Sequence, residues 1–298
     1  MPPWVEVRDF GSPEWNAERA RACCEALESN QILFFRQPPF VVEGCDFLTA
    51  QRSLDSAVHK NVSYRPASAA MRGFSGDPKT AAEMRRILAL YSARAVECVQ
   101  KLLLPYAAKL RLDYASFRGL EEAGRNLPLH KRNDLLHVDA FPSRPTRGGR
   151  ILRFFTNIHP SKTRVWITTE RFPELARRFA GEAGLKQVAA ARARRKFGHL
   201  LHVFGLPVPD RSAYDEFMLR FHDWLKENTR FQSECAKDKI EFPPMSTWLV
   251  FTDGVPHAVL SGQYALEQTF IIPREALVTP QQAPIGVLEE IAGMQLAG

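Results

Sequence analysis

Residues 137–158 read HVDAFPSRPTRGGRILRFFTNI, and this stretch decides the fold. Its second half, Arg150 to Ile158, has the aromatic and β-branched content of a strand. Its first half is strand-like from Leu135 and punctuated by Pro142 and Pro145, with Gly148 and Gly149 turning the chain into the next strand. Working outward, RVWITT (Arg164 to Thr169) predicts another strand. Two helical stretches then interrupt, Pro173 to Lys196 and Ser212 to Asn228. The second carries Tyr214, Phe217, Met218, Phe221 and Trp224 on one face, which predicts a core-facing helix. Strands resume with STWLVFTD (Ser246 to Asp253) and YALEQTFIIP (Tyr264 to Pro273), joined by a tight turn through Ser261-Gly262. Strands on both sides of a helical insertion predict an α+β protein built on a curled antiparallel barrel or jelly roll.

Upstream, ILFFRQ (Ile32 to Gln37) is a strand ended by Pro38-Pro39. A long helix follows Asp77-Pro78. From Ala81 to Ala107, Met84, Ile87, Leu88, Tyr91, Ala95, Cys98, Val99 and Leu102 recur at three- and four-residue steps, the pattern of a helix supporting a sheet. One catalytic domain over 1–298 is therefore expected. It comprises a mixed N-terminal part (1–130), the strand core (131–275) with its insertion at about 173–230, and a C-terminal tail (276–298).

The 298 residues are 45% hydrophobic and 24% charged, enough for a sizeable core in an ordinary globular protein. No run approaches the length of a membrane span, and MPPWVEVRDF lacks the apolar stretch of a secretory leader. The five cysteines are scattered without metal-type spacing, which favours reduced thiols and a cytoplasmic location. Net charge is +7 and the pI about 9.3. Much of that charge lies in one run: Arg177, Arg178, Lys186, Arg192, Arg194, Arg195 and Lys196, opposed only by Glu182. No aromatics interleave with it, so the stacking platform of a single-stranded nucleic-acid binder is missing and no nucleic acid is expected. Phosphorylated substrates or anionic headgroups remain, with peripheral contact at the inner membrane surface.

His137-x-Asp139 places an imidazole and a carboxylate on the same side of a strand end. His257, 120 residues later in DGVPHAVLSG, directly precedes another strand and completes two imidazoles and one carboxylate. That is the facial triad of non-haem Fe(II) oxygenases, in which three adjacent sites stay open. With 8 His and 33 acidic residues, about one His-x-Asp/Glu arises by chance, so the weight rests on the ordered trio and its strands. Two other histidine groups carry less. His199-x-x-His202 has no cysteine or glutamate close enough to complete a zinc site. His222-Asp223 sits in an amphipathic helix where surface or packing roles prevail, although its aromatic face and the basic run before it also suit a membrane surface.

HVDAFPSRPTRGGRILRFFTNIHP, together with WLVFTDGVPHAVLSGQYALEQTFIIP, resembles the Kdo hydroxylase family over roughly Lys60 to Pro273. More distantly, the order of these residues is similar to the catalytic half of prolyl-hydroxylase-type oxygenases. The resemblance implies a double-stranded β-helix, Fe(II) as metal, 2-oxoglutarate and O2 as co-substrates, and release of succinate and CO2. It implies hydroxylation at C3 of 3-deoxy-D-manno-oct-2-ulosonic acid (Kdo) in a lipid A-linked glycolipid. His137, Asp139 and His257 would then be both metal ligands and the catalytic centre.

Oxygenases of this superfamily hold the far carboxylate of 2-oxoglutarate with a cation about ten residues after the distal histidine. Here Ala258 to Gln268 contains no basic residue, and the first arginine is Arg274. A buried carboxylate needs a partner, so another cation must serve. Arg153 shares a strand face with Phe155 and Asn157 and is the first candidate. Arg150 is second, and Asn157, Gln263 and Thr269 can add hydrogen bonds. An acidic sugar calls for cations at the mouth. Arg132, Asn133 and Asp134 before the first ligand, Arg144 and Arg147 after it, and Lys60, Asn61, Tyr64 and Arg118 upstream are the substrate candidates. Two other functions fit the trio: an oxygenase acting on a protein side chain or small metabolite, and a cupin-like metal- or sugar-binding module without turnover. The missing cation after His257 favours the latter.

Overall fold

The structure, a computed structural model, describes residues 3–50, 61–195 and 211–296, with the backbone only for 192–195. Lys60, His199 and His202 lie outside the described residues, as do Lys196 and the side chains of Arg192, Arg194 and Arg195. The strands are β1 (Trp4–Glu6), β2 (Ile32–Phe35), β3 (Val62–Arg65), β4 (Ala70–Arg72), β5 (Arg111–Arg118) and β6 (Arg150–Asn157). They continue as β7 (Arg164–Thr168), β8 (Asp238–Phe242), β9 (Thr247–Phe251), β10 (His257–Ser261) and β11 (Ala265–Ile272). The helices are α1 (Ala17–Glu28), α2 (Cys45–Ala50), α3 (Pro78–Leu102), α4 (Phe172–Phe179), α5 (Leu185–Arg195), α6 (Ala213–Glu227), α7 (Thr229–Glu234) and α8 (Pro284–Ala292).

Two sheets form the double-stranded β-helix. The larger runs β1-β2-β9-β6-β11-β5-β3-β4 and the smaller β10-β7-β8. β6 is the axis of the larger sheet, and its register sets Arg153 opposite Val250 of β9 and Thr269 of β11. Alternation along β6 then divides its side chains between two cores. Phe154 and Thr156 face the helices, where the Tyr91 hydroxyl of α3 lies 3.1 Å from that of Thr156 and Phe40 stacks on Phe154. Phe155 faces the smaller sheet, stacking on Trp248 and meeting Trp166 edge-on at 5.3 Å. This second core also holds Ile32, Ile240, Phe242, Val250 and Val259.

Several sequence expectations hold, because period-2 and period-3.6 patterns were strong there: β2, β6, β7, β9, β11 and α3 lie within a few residues of their predicted spans. Asp77 caps α3 by accepting from the Thr80 amide, and Pro78 occupies its first turn. α6 begins in a capping box between Ser212 and Asp215. Its Phe217 and Phe221 are fully buried against α4, and Trp224 packs on Phe179. That aromatic face is therefore occupied by the protein's own core and is not a membrane-docking face.

Other expectations need correction. The predicted helix over Pro173 to Lys196 is two helices, broken where Gly184 adopts φ +88°. The strand expected around Leu135–Pro145 is an isolated bridge at His137 rather than a ladder, because the prolines that follow remove donors. β9 and β11 are not a hairpin: each pairs with β6, and β10 intervenes in the other sheet, so Ser261-Gly262 turns β10 into β11. Strands from the first 118 residues extend the larger sheet on both sides, beyond the 131–275 core. No helix among the described residues is long and apolar enough to cross a membrane.

Candidate active site

His137 and His257 come together through their backbones. Each amide donates to the other's carbonyl, at 3.1 and 2.9 Å, closing the barrel where two distant segments meet. The Asp139 amide donates to the Thr252 carbonyl at 2.9 Å, which turns its carboxylate toward the same point. The donor atoms of His137, Asp139 and His257 all lie within 4.8 Å of one another, with His137 Nε2 3.7 Å from Asp139 Oδ1. Both imidazoles use Nδ1 against a backbone carbonyl, His137 on Leu135 at 2.7 Å and His257 on Val255 at 2.9 Å. An Nδ1–H held in this way leaves the Nε2 lone pair for a metal. Burial, reinforced by the facing His257, holds His137 well below the usual histidine range, and burial also lowers His257. Burial alone would raise Asp139, but Arg153 and the two imidazoles outweigh it and hold the carboxyl well below its ordinary value. Neutral imidazoles with an ionised carboxylate are the protonation states that metal binding requires.

Around the trio lies a charged shell. Arg153 Nε sits 2.7 Å from Asp139 Oδ2, leaving Oδ1 turned toward His137. The same guanidinium pairs with Glu267 and donates to Thr252 Oγ1 at 3.3 Å. Glu267 also receives Arg118 at 2.6 and 2.7 Å and the Thr269 hydroxyl at 3.1 Å. On α6, His222 bonds the Val138 carbonyl at 2.7 Å, between the two ligands of that segment, and its ring meets His137 edge-on at 4.9 Å.

A cavity extends from the trio into the barrel, lined by Arg118, Phe155, Arg164 and Trp166 among others. Arg164 and Trp166 are both 1% exposed and lie two residues apart on β7, so they share a face. Arg164 donates to the Gly262 carbonyl at 3.1 Å and lies 3.4 Å from Glu122, but its Nε has no partner; neither has Trp166 Nε1. Buried donors without acceptors are costly and rare. Both residues line the cavity beside the His137–Asp139–His257 trio, and a buried donor left over on each fits a carboxylate-bearing molecule bound next to a metal there. The residues present thus suit both the metal and a dicarboxylate.

The profile of the 3-deoxy-D-manno-oct-2-ulosonic acid (Kdo) hydroxylase family matches residues 11–295. The chain belongs to the Kdo hydroxylase family. Among solved structures it is similar to the Kdo hydroxylase KdoO, a non-haem Fe(II) α-ketoglutarate-dependent dioxygenase, in complex with α-ketoglutarate and Fe(III). Identity is 33%, covering 99% of this chain and 97% of that one, with a TM-score of 0.83. The cobalt(II) complex of KdoO gives 33% identity, 99% and 98% coverage and a TM-score of 0.84. A third KdoO structure holds succinate and Fe(III), with a TM-score of 0.83. No curated protein matches. Fold, family and enzyme class therefore agree with the sequence reading: a double-stranded β-helix enzyme among the Fe(II)/2-oxoglutarate dioxygenases.

Within this Kdo hydroxylase framework the remaining candidates separate. Arg153 faces the cavity as its parity predicts, but two carboxylates already share it. Arg150 is a correction. Three residues earlier on β6, it faces the opposite side and is buried against Asp253 at 2.8 Å and Asn30 at 3.2 Å. Asn157 is consumed in a turn, donating to the carbonyls of Lys162, Phe242 and Pro243 and accepting from the His159 amide. Gln263 donates to the Gly119 carbonyl and does not line the cavity. Thr269 lies beside Arg153 and bonds Glu267.

Among the substrate candidates, Arg144 is half-buried and lies against the same Phe141 ring as Arg153. It pairs with Asp113 at 2.6 Å, with its guanidinium 4.0 Å from the Tyr114 ring and 4.3 Å from that of Phe141. Phe141 in turn lies 5.6 Å from the Arg153 guanidinium, and Arg65 covers Tyr114 at 4.8 Å. Arg132 and Asp134 pair with each other at 2.6 Å. Asn133 lines the cavity and donates to Glu122. Tyr64 is buried on β3, Asn61 is half-buried just before it, and Arg147 is exposed on the loop after Arg144. Arg164, Trp166, Glu267 and His222 escaped sequence reasoning. Only strand parity with Trp166 could have brought Arg164 forward.

Proposed function

We propose that this protein hydroxylates C3 of Kdo in the lipopolysaccharide inner core, on a Kdo-lipid A glycolipid. It would act in the cytoplasm at the inner face of the membrane, with the whole chain as one catalytic unit. The observation that carries the reading is the His137–Asp139–His257 trio opening onto a cavity with two orphaned donors, in a chain of the Kdo hydroxylase family. Fe(II) with bound 2-oxoglutarate supplies the oxidising power for C–H hydroxylation, the co-substrate leaving as succinate and CO2. His137 and His257 present neutral Nε2 atoms and Asp139 presents Oδ1, while Arg153 holds Oδ2 and so fixes the carboxylate as a one-oxygen ligand. Arg164 Nε and Trp166 Nε1 take the far carboxylate of 2-oxoglutarate, with Arg118 adding charge from β5. Burial lowers Arg164 only to about 10, so it stays a cation at neutral pH. The anchor thus comes from β7 rather than from the strand after His257. Arg144, braced by Phe141, Tyr114 and Asp113, presents a planar fork to the carboxylate of the sugar.

The test is incubation with Fe(II), 2-oxoglutarate, O2 and Kdo-lipid A, followed by mass spectrometry. One oxygen added to the Kdo unit and matching succinate are expected. Succinate formed at the same rate with and without the glycolipid, and no oxygen on Kdo, would reject the substrate. Absence of the visible charge-transfer band on anaerobic addition of Fe(II) and 2-oxoglutarate would reject the site.

A further inference from the structure

A second group of cations lies outside the catalytic cavity, at the rim where β5 and β6 begin and β11 ends. Lys109, Arg111, Arg147 and Arg274 line an open groove of about 360 Å³, and Glu275 is the carboxylate among its described lining residues. The four come from three separate segments, Lys109 and Arg111 sharing one, so the sequence shows no run there. Lys109 and Arg274 are tied down, Lys109 on the Glu275 carbonyl at 3.0 Å and Arg274 on Glu289 at 2.8 Å. Arg147 is held differently. Its φ of +54° is unusual for a residue with a side chain. The buried Asp215 of α6 accepts from the amides of Thr146 (2.7 Å) and Arg147 (3.1 Å), keeping the backbone in that conformation and the side chain at the surface. Strained backbone kept in place by a buried carboxylate is the kind of feature found at binding sites.

Gly149, in the groove wall, is four residues from Arg153 along the chain, roughly 13 Å at strand rise. Between the two lies a row of arginines, of which Arg153 and Arg144 are paired with carboxylates. Arg153 and Arg144 lie against the same Phe141 ring, Arg144 pairs with Asp113, and Arg111 follows two residues away on β5. A ligand with one acidic group at Arg144 and a second anion about a sugar unit away would meet both. Clustered guanidinium forks suit the multiple oxygens of a phosphate monoester.

We propose that this groove binds a phosphate monoester carried by the glycolipid substrate, making the neighbouring phosphate a second recognition element beside the sugar that reacts. The inference rests on the proposed Kdo-glycolipid reading. The experiment compares Kdo-lipid A with its enzymatically dephosphorylated form, for wild type and for an Arg111→Gln/Arg147→Asn variant. Asn tolerates positive φ, so the loop is kept. Equilibrium binding is measured directly alongside KM. The wild type should bind the phosphorylated form about tenfold or more tightly, and the variant should lose that preference, as for two charge-assisted contacts. Inorganic phosphate should raise the wild-type KM and leave the variant's unmoved. Equal affinity of the wild type for both forms would overturn the proposal, as would a variant that weakens both equally. Loss of binding to phosphatidylglycerol vesicles without loss of phosphate discrimination in detergent would assign the groove to headgroups instead. If Kdo is not oxidised at all, the activity reading fails while the binding comparison still reports on the groove.

Discussion

Arg153 illustrates how one residue can lie in the expected place and carry a different task. Its guanidinium bridges Asp139 and Glu267, two carboxylates that burial would otherwise raise or expel. A lysine keeps the charge but lacks the fork that serves both partners. Arg153→Lys should therefore weaken metal binding by roughly 10–100-fold, the usual cost of losing a partner of a metal ligand. Co(II) titration followed by its visible spectrum measures this, and unchanged Co(II) affinity would show that Asp139 needs no such support. Arg164 should behave in the opposite way. Arg164→Met removes the unpartnered Nε while leaving Glu122 with Arg118 and Arg125. Co(II) affinity should hold while the 2-oxoglutarate dissociation constant rises about tenfold or more, as for loss of a charge-assisted contact. If Arg153→Lys alone shifts 2-oxoglutarate binding and Arg164→Met does not, the far carboxylate belongs to Arg153 after all.

At the scale of elements, the three residues proposed as ligands stood out because His-x-Asp precedes the recognisable strand β6 and His257 opens β10, and the fold brings their donor atoms within 4.8 Å of one another. The surrounding shell did not. β5, which brings Arg118 to the cavity, reads RLDYASFR, too polar to stand out as a central strand. β6 is buried nearly end to end, so parity puts Arg150 and Arg153 on opposite faces but polarity could not say which face meets the cavity. His222 was read as a surface or helix-packing residue, and it packs, but against His137, a contact between α6 and the segment before β6 that only the tertiary structure reveals. The turn from β10 to β11 shows what an element contributes to a site several residues away. Gly262 has φ +134°, and a Cβ there would come within 2.6 Å of Arg164 Cγ, while its carbonyl accepts from Arg164. Gly262→Ala should lower the melting temperature, because a conformation reserved for glycine becomes strained by about 1–3 kcal/mol. It should also weaken 2-oxoglutarate binding through displacement of Arg164. A variant of lower stability with wild-type 2-oxoglutarate affinity would separate the turn from the anchor.

Across the whole molecule, the proposed metal site joins parts of the chain that meet only in the folded state. His137 lies on a bridge before β6, His257 opens β10 after the helical insertion, and the two are held by reciprocal backbone bonds, with His222 packed on His137 and Trp166 stacked on His257. An unfolded chain has no such trio, so metal and co-substrate bind the native state alone and their binding free energy adds to folding stability. At a hundred times its dissociation constant a ligand contributes about 2.7 kcal/mol. For a chain of this size that is roughly a 4–5 °C rise in melting temperature. Co(II) alone should raise the melting temperature of the wild type, 2-oxoglutarate should raise it further only when Co(II) is present, and a chelator should remove both increments. His137→Ala should show neither, since removing one imidazole leaves two ligands on opposite sides of the bridge. A 2-oxoglutarate shift without metal would mean that the Arg164–Trp166 end of the cavity binds the dicarboxylate unaided, and the order of assembly would then begin at the anchor rather than at the metal.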